Sequence, residues 1–77
     1  MTKYAIVIEP HVSPEGTKTW GAYAPDLPGC GVVGDSPDQA RTLLREAISL
    51  HLEGLRADGI PIPPPSVEID FLELQST

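Results

Sequence analysis

Four carboxylates, those of Glu9, Asp26, Asp35 and Glu46, could in principle support metal-dependent chemistry. Nucleases that use Mg²⁺ gather several such side chains around the ion, which stabilises the charge that develops on the phosphate. Glu9, however, ends its predicted strand instead of lying within it, and no basic substrate groove accompanies the set. A metal-dependent nuclease is therefore the least favoured function.

Nucleophilic catalysis would need Ser36 or Cys30 beside a poised base. Ser36 is better placed as a helix cap, and His51 follows it by about four helical turns. Cys30 with His11 and His51 is a poor zinc set, because structural zinc takes four closely spaced Cys or His ligands. We therefore predict no catalytic residue, no metal site and no cofactor, and expect Cys30 to be a buried apolar side chain.

Four predicted strands and a helix should position the polar residues. The fourth strand is predicted at residues 67–71, because apolar residues alternate there with Glu68 and Asp70. Pro28 and Gly29 suit the centre of a type II turn between the second and third strands. The first three strands are predicted at residues 3–9 (KYAIVIE), 19–24 (TWGAYA) and 31–34 (GVVG).

The helix has clear end signals. Ser36 is a good N-cap, Pro37 suits the first helical position, and Gln39 completes a capping box. The helix should run to about Ala57, with Gly59 as the residue after its C-cap. Prolines in residues 60–65 (IPIPPP) predict an extended crossover.

The element order β-β-β-α-β predicts an α+β fold, an antiparallel sheet with the helix packed on one face. Apolar residues cover roughly 200° of the helix, whereas a helix on a sheet needs about 100°. Either a second subunit or the crossover could cover the excess. For the first alternative, we predict an oligomer interface at His51, Leu52 and Leu55, where His51 could make assembly pH-sensitive.

The chain has 77 residues, so we expect a single domain over residues 1–77 with a small core. One cysteine gives no internal disulfide, which leaves homo-oligomerisation as the expected additional support. The sequence contains no apolar run of about 18 residues, and its N-terminus has a strand pattern instead of a signal peptide. We expect a cytoplasmic protein that does not enter membranes.

Acidic residues dominate the charge, with 11 Asp and Glu against 5 Lys and Arg, a net charge of −6. Phosphate backbones are bound by clustered Lys and Arg, and here the cations are few and scattered. Direct nucleic-acid binding is therefore not expected. A basic protein is the natural partner of such a surface.

These features resemble the HicB family of antitoxins. The resemblance lies in YAIVIE at residues 4–9, WGAYAPDLPGC at 20–30, GDSPDQAR at 34–41, EAISLHLEGLRADG at 46–59 and IPIPPP at 60–65, in the family order. It covers nearly the whole chain. The PDLPGC block, the capped helix start and the Gly–Pro helix exit are specific in combination.

The resemblance implies a degenerate RNase H-like fold without nuclease activity. It also implies a partner, a small basic toxin of the HicA type that cleaves mRNA and is blocked by the antitoxin. Many HicB proteins carry a C-terminal DNA-binding domain, and this sequence resembles a short form without one. Within this family the alternative is an orphan, self-associating domain that has no toxin.

We predict partner contacts at Asp26, Leu27 and Pro28 of the PDLPGC segment and at Glu68 and Asp70 of the last strand. For Asp26 the competing interpretation is a carboxylate that accepts backbone N–H groups of its own turn. For Glu68 and Asp70 the competing interpretation is that they lie on a strand face exposed to solvent. An acidic surface made of these residues could cover the RNA site of a basic toxin.

Overall fold

A computed structural model describes residues 2–75. It contains three strands, β1 (Val7–Val12), β2 (Lys18–Tyr23) and β3 (Gly31–Gly34), followed by one helix, α1 (Pro37–Ala57). The strands form one antiparallel sheet in the order β1-β2-β3. The α+β class, the three hairpin-linked strands and the single helix are therefore as predicted.

β1 begins four residues later than predicted, at Val7 instead of Lys3, and ends three residues later, at Val12. Glu9 therefore lies within the strand, and the prediction that it ends the strand is wrong. Val7 pairs with Tyr23, the last residue of β2, and the chain then turns away into the β2–β3 loop. Residues 2–6 consequently extend past the end of β2 and have no strand beside them. The apolar and β-branched residues of this segment predicted a strand, but they could not indicate where the partner strand stops.

The core is small and is built largely from short side chains. Ile8, Ala22 and Val32 are paired across the sheet and face α1. They pack, with other partly buried side chains, around six buried residues, Ala22, Ala24, Leu27, Cys30, Ala40 and Leu44. Because three of these are alanines, the helix can approach the sheet closely.

The helix start has the predicted cap. The Ser36 hydroxyl accepts a hydrogen bond from the Gln39 N–H at 3.0 Å. The Gln39 side chain accepts one in return from the Asp35 N–H, one residue before the N-cap. The backbone N–H groups of Asp35 and Gln39 thus have hydrogen-bond partners at the N-terminal end of α1.

The helix end is the predicted one. Gly59 has a φ of +68°, a left-handed conformation that favours glycine. Its N–H donates to the Arg56 carbonyl, and the Ile60 N–H donates to the Leu55 carbonyl at 2.9 Å. This pair of bonds is a Schellman motif, which ends α1 and directs the chain into the crossover.

The predicted fourth strand is wrong for the described chain. Residues 60–75 contain no assigned strand, and the sheet has three members. Ile69 is 63% exposed and Phe71 is 89% exposed. The alternation of apolar and acidic residues is present, but no neighbouring strand of the same chain is aligned with it.

The close contact between β3 and α1 depends on Gly34. A Cβ atom there would lie 2.7 Å from the backbone nitrogen of Ala40, far inside normal contact distance. We expect Gly34→Ala to lower the free energy of unfolding by about 1–3 kcal/mol, because the helix start must shift. Urea denaturation followed by circular dichroism measures this effect.

Gly31→Ala is the matched control in the same strand. A Cβ at Gly31 would meet its nearest atom, the Ala22 carbonyl oxygen, at an ordinary 3.8 Å. The urea midpoint of the Gly31→Ala variant should stay close to that of the unsubstituted protein. Equal midpoints for the two variants would contradict the proposed role of Gly34.

Candidate partner-binding surface

The β2–β3 loop, residues 24–30, consists of two consecutive turns. The Leu27 N–H donates to the Ala24 carbonyl at 3.0 Å, and the Cys30 N–H donates to the Leu27 carbonyl at 3.2 Å. Gly29 has a φ of +89°, which the predicted type II turn with Pro28 before it requires. Buried side chains at both ends and the centre of the loop hold it against the core.

Asp26 accepts hydrogen bonds from a segment 40 residues away. Its Oδ2 accepts from the backbone N–H groups of Ser66 and Val67, at 3.0 and 3.2 Å. Its Oδ1 accepts from the Ser66 hydroxyl at 2.7 Å. We call this arrangement the Asp26 clamp. The alternative in which Asp26 satisfies its own turn is therefore wrong, since the amides come from beyond the crossover.

The clamp fixes the path of the chain after the helix. The Tyr4 hydroxyl donates a hydrogen bond to the Pro63 carbonyl, so the crossover passes beside the extension of β1. Three residues later the chain reaches Asp26, in the loop that follows β2. The crossover thus spans this end of the sheet, from the β1 side to the loop.

Hydrogen bonding to the carboxylate favours its ionised form. The pKa of Asp26 is lowered, chiefly by the Ser66 hydroxyl, then by the Ser66 backbone N–H and, to a smaller extent, by that of Val67. Desolvation acts weakly in the opposite direction. The clamp is therefore fully charged at neutral pH.

Residues 67–75, which we call the tail, continue from the clamp. Glu68 follows directly after the clamped Val67, and Asp70 and Glu73 lie further along. All three acidic residues are exposed. The predicted contact residues of the loop and of the last strand are thus joined through the clamp, although they are far apart in sequence.

The sheet face opposite the core borders the same loop. Glu9, Gly21 and Val33 are paired across the three strands there, and Val33 is 66% exposed. A shallow depression lies over Gly21 and Gly31, with Tyr23 at its margin. This open face and the tail give the loop neighbours that could form a continuous contact surface.

Comparison with known proteins identifies the family. Residues 4–76 match the model of a family described as "HicB_like antitoxin of bacterial toxin-antitoxin system". The chain belongs to the HicB-like antitoxin family. This membership associates the HicB-like chain with bacterial toxin–antitoxin systems, in agreement with the resemblance drawn from the sequence motifs.

One curated relative of this HicB-like chain is an uncharacterized 14.9 kDa protein in the rep-hol intergenic region of Haemophilus phage HP1 (strain HP1c1). The two are 44% identical over 39 residues, which cover 51% of this chain and 29% of the phage protein. The matched segment therefore spans less than a third of that relative. No solved structure matches the HicB-like chain significantly.

The predicted partner residues differ in their surroundings. Leu27 is only 1% exposed, so its side chain supports the loop from inside the core, whereas Pro28 is exposed. His51, Leu52 and Leu55 are half-buried along α1. Contacts of these residues with a toxin or a second subunit stay predictions.

Neither a metal centre nor a membrane helix is found among residues 2–75. No three His, Cys, Asp or Glu side chains of this part of the HicB-like chain are grouped so that they could hold a metal ion. Its helix is not apolar enough to cross a membrane. Cys30 is buried, and its burial raises the pKa of the thiol, as expected for a packed apolar side chain.

The Asp26 clamp has only a weak signal in the sequence of the HicB-like chain. The composition of the PDLPGC segment predicts a turn at Asp26, but the partners Ser66 and Val67 follow a crossover whose path the sequence does not give. The one local feature is Ser66, a small polar residue between the proline run and the alternating tail.

The clamp predicts a specific pH response. The pKa of Asp26 is lowered in the folded chain, so its contribution is complete above the ordinary Asp pKa of about 3.9 and is lost as the pH falls through the folded value. Asp26→Asn should remove it at every pH. Amide hydrogen exchange measured by NMR should show weaker protection at Ser66 and Val67 in this variant.

Asp70→Asn serves as the control, because Asp70 accepts a hydrogen bond only from the adjacent Phe71 N–H in the described structure. It removes the same charge without touching the clamp. Equal protection of Ser66 and Val67 in the two variants would show that Asp26 does not hold the tail.

Proposed function

We propose that this chain is an antitoxin that binds a small basic toxin of the HicA type and covers the toxin's RNA site. Family membership supports the toxin–antitoxin role. The identity of the toxin class and the mode of inhibition are our inference from the charge and shape of the chain.

The observation that carries the proposal is the acidic tail held beside the loop by the Asp26 clamp. The chain has a net charge of −6, and Glu68 and Asp70 are exposed where the tail leaves the clamp. A surface that binds RNA phosphates is rich in Lys and Arg. The carboxylates of Glu68 and Asp70 would be attracted to the Lys and Arg side chains of such a surface.

Inhibition in this scheme is steric and electrostatic. Glu68 and Asp70 pair with cations of the toxin, while Pro28 and the rest of the loop block the approach of RNA. Asp26 acts as a positioning residue, because its own carboxylate is used by Ser66 and Val67. Charge pairs of this kind mainly accelerate association and select the partner.

The chain contributes no catalytic step in this proposal, and it neither binds nucleic acid directly nor uses a cofactor. It acts in the cytoplasm, where the toxin would meet mRNA. Self-association without a toxin is the second candidate function, and the exposed apolar residues of the tail favour it.

The test uses a small basic protein of the HicA type, sought in the reading frame next to that of this chain. We expect the purified chain to bind that protein and to stop its cleavage of RNA. Glu68→Lys combined with Asp70→Lys should weaken binding by about tenfold, because two attractions become repulsions. Isothermal titration calorimetry and an RNA-cleavage assay measure the two effects.

Glu15→Lys with Glu46→Lys is the matched control, since it changes the net charge equally at two other exposed sites. Unimpaired binding of the tail variant would remove the tail from the interface. If the neighbouring basic protein does not bind the unsubstituted chain at all, the antitoxin proposal fails and self-association becomes the better function.

A further inference from the structure

The tail has the pattern of a strand that lacks a partner. Val67, Ile69 and Phe71 alternate with Glu68 and Asp70, and the exposed fraction of the three apolar side chains rises from 42% to 63% and 89%. Such alternation is typical of a strand with one buried face. Among residues 2–75, however, no strand pairs with the tail.

A groove with an apolar floor lies elsewhere on the chain, between the extension of β1 and the first half of α1. Its floor is formed by Tyr4, Ile6, Leu44 and Ile48. We call it the β1–α1 groove. Tyr4, Ile6 and Ile48 are only half-buried, so the groove leaves part of the core open to solvent.

The rim of the β1–α1 groove is basic. Lys3, Arg41 and Arg45 line it, which places there three of the five Lys and Arg residues of the chain. The prediction that the cations are scattered is therefore wrong for these three. Arg41 also pairs with Asp38 at 2.6 Å. None of the described residues that line the groove is acidic. In an acidic chain this is the surface that would attract an acidic segment.

The backbone beside the groove is ready to accept a strand. Residues 2–6 extend past the end of β2 and carry no strand assignment. A segment without a strand neighbour can offer N–H and C=O groups to an added strand. The five residues 2–6 match the five alternating residues 67–71 in length.

The chain's own tail does not fill this groove, since Val67, Ile69 and Phe71 are exposed and none of them lines it. The crossover passes the groove side at Tyr4, where Pro63 accepts its hydroxyl hydrogen bond, and then reaches Asp26 on the far side of the sheet end. Residues 67–71 therefore start from the clamp after the chain has passed the groove.

We propose that the tail of one chain adds as a strand in the β1–α1 groove of a second copy, and that the exchange is reciprocal. Val67, Ile69 and Phe71 would cover the apolar floor, and the backbone would pair with residues 2–6. A two-fold dimer satisfies both grooves with one kind of contact. The clamp assists by holding the start of the tail in place, which reduces the ordering entropy of binding.

The charges agree with this register. Tyr4 and Ile6 face the core, so Lys3 lies on the opposite face of the extension of β1. Glu68 and Asp70, which point away from the apolar face of the tail, would lie on the face of Lys3. Glu73 shares the face of Val67 and would approach Arg45 on the helix.

The open face of the sheet is a poorer site for the tail. Glu9 borders its depression and would repel the acidic residues of the tail. In the exchanged dimer Glu68 and Asp70 would point toward this open face and remain accessible. Exchange of the tail and binding of a basic partner are therefore compatible.

The first experiment measures molar mass by light scattering over a range of micromolar concentrations. We expect a dimer for the unsubstituted chain. Ile69→Asp with Phe71→Asp should raise the dimer dissociation constant by at least about tenfold, because it places charges in an apolar floor. Leu50→Asp is the control, since Leu50 is 69% exposed on α1 outside the groove and should leave the dimer intact.

The second experiment exchanges the charges. One variant carries Lys3→Glu and Arg45→Glu in the groove, and the other carries Asp70→Lys and Glu73→Lys in the tail. Each alone should be monomeric, because tail and groove then repel each other. Their mixture should form a heterodimer, since both tails meet grooves of opposite charge. Circular dichroism confirms that each variant is folded.

A monomeric unsubstituted chain would overturn the proposal, including the case in which the tail folds into its own groove. A dimer that survives both the apolar and the charge substitutions would also overturn it, because assembly would then use another surface such as that of His51, Leu52 and Leu55. Binding of a basic partner is measured separately, so loss of either property identifies which proposal has failed.

Discussion

The close approach of α1 to the sheet is the constraint on which the rest of the structure depends. Gly34 leaves space for the backbone of Ala40, and Ala22 and Ala40 meet where larger side chains would separate the two elements. The resulting core contains only two fully buried large side chains, Leu27 and Leu44. A core of this size leaves apolar residues of the tail and of the β1–α1 groove outside it, which gives the chain both a binding segment and a surface that could receive one.

The second organising contact is the Asp26 clamp, which makes neighbours of two segments that are distant in the sequence. Without it, the PDLPGC loop and the tail would be separate features of the sequence. With it, the loop becomes the base from which the tail leaves the domain. Membership in an antitoxin family gives this arrangement a functional context, because an antitoxin must present a defined surface to its toxin.

Local signals in the sequence predicted local structure well. Ser36, Gln39 and Gly59 marked both ends of the helix, and Pro28 with Gly29 marked the type II turn, because each of these features involves hydrogen bonds between near neighbours. The first strand was misplaced, since its start depends on where Tyr23 ends the adjacent strand. The alternation at Val67, Ile69 and Phe71 predicted a fourth strand that is not found among residues 2–75. Alternation specifies a buried face and contains no information about which strand, in which copy, provides it.

The clamp also separates two parts of the chain that differ in the free energy of local opening. It consists of three hydrogen bonds from one accessible carboxylate, whereas the helix and sheet share a packed core. Regions held by a few solvent-accessible bonds open at lower free energy than the rest of a domain. The tail can therefore detach and reattach while the core stays folded. Such sub-global opening would allow copies to exchange tails, or a partner to engage the freed segment, without the barrier of complete unfolding.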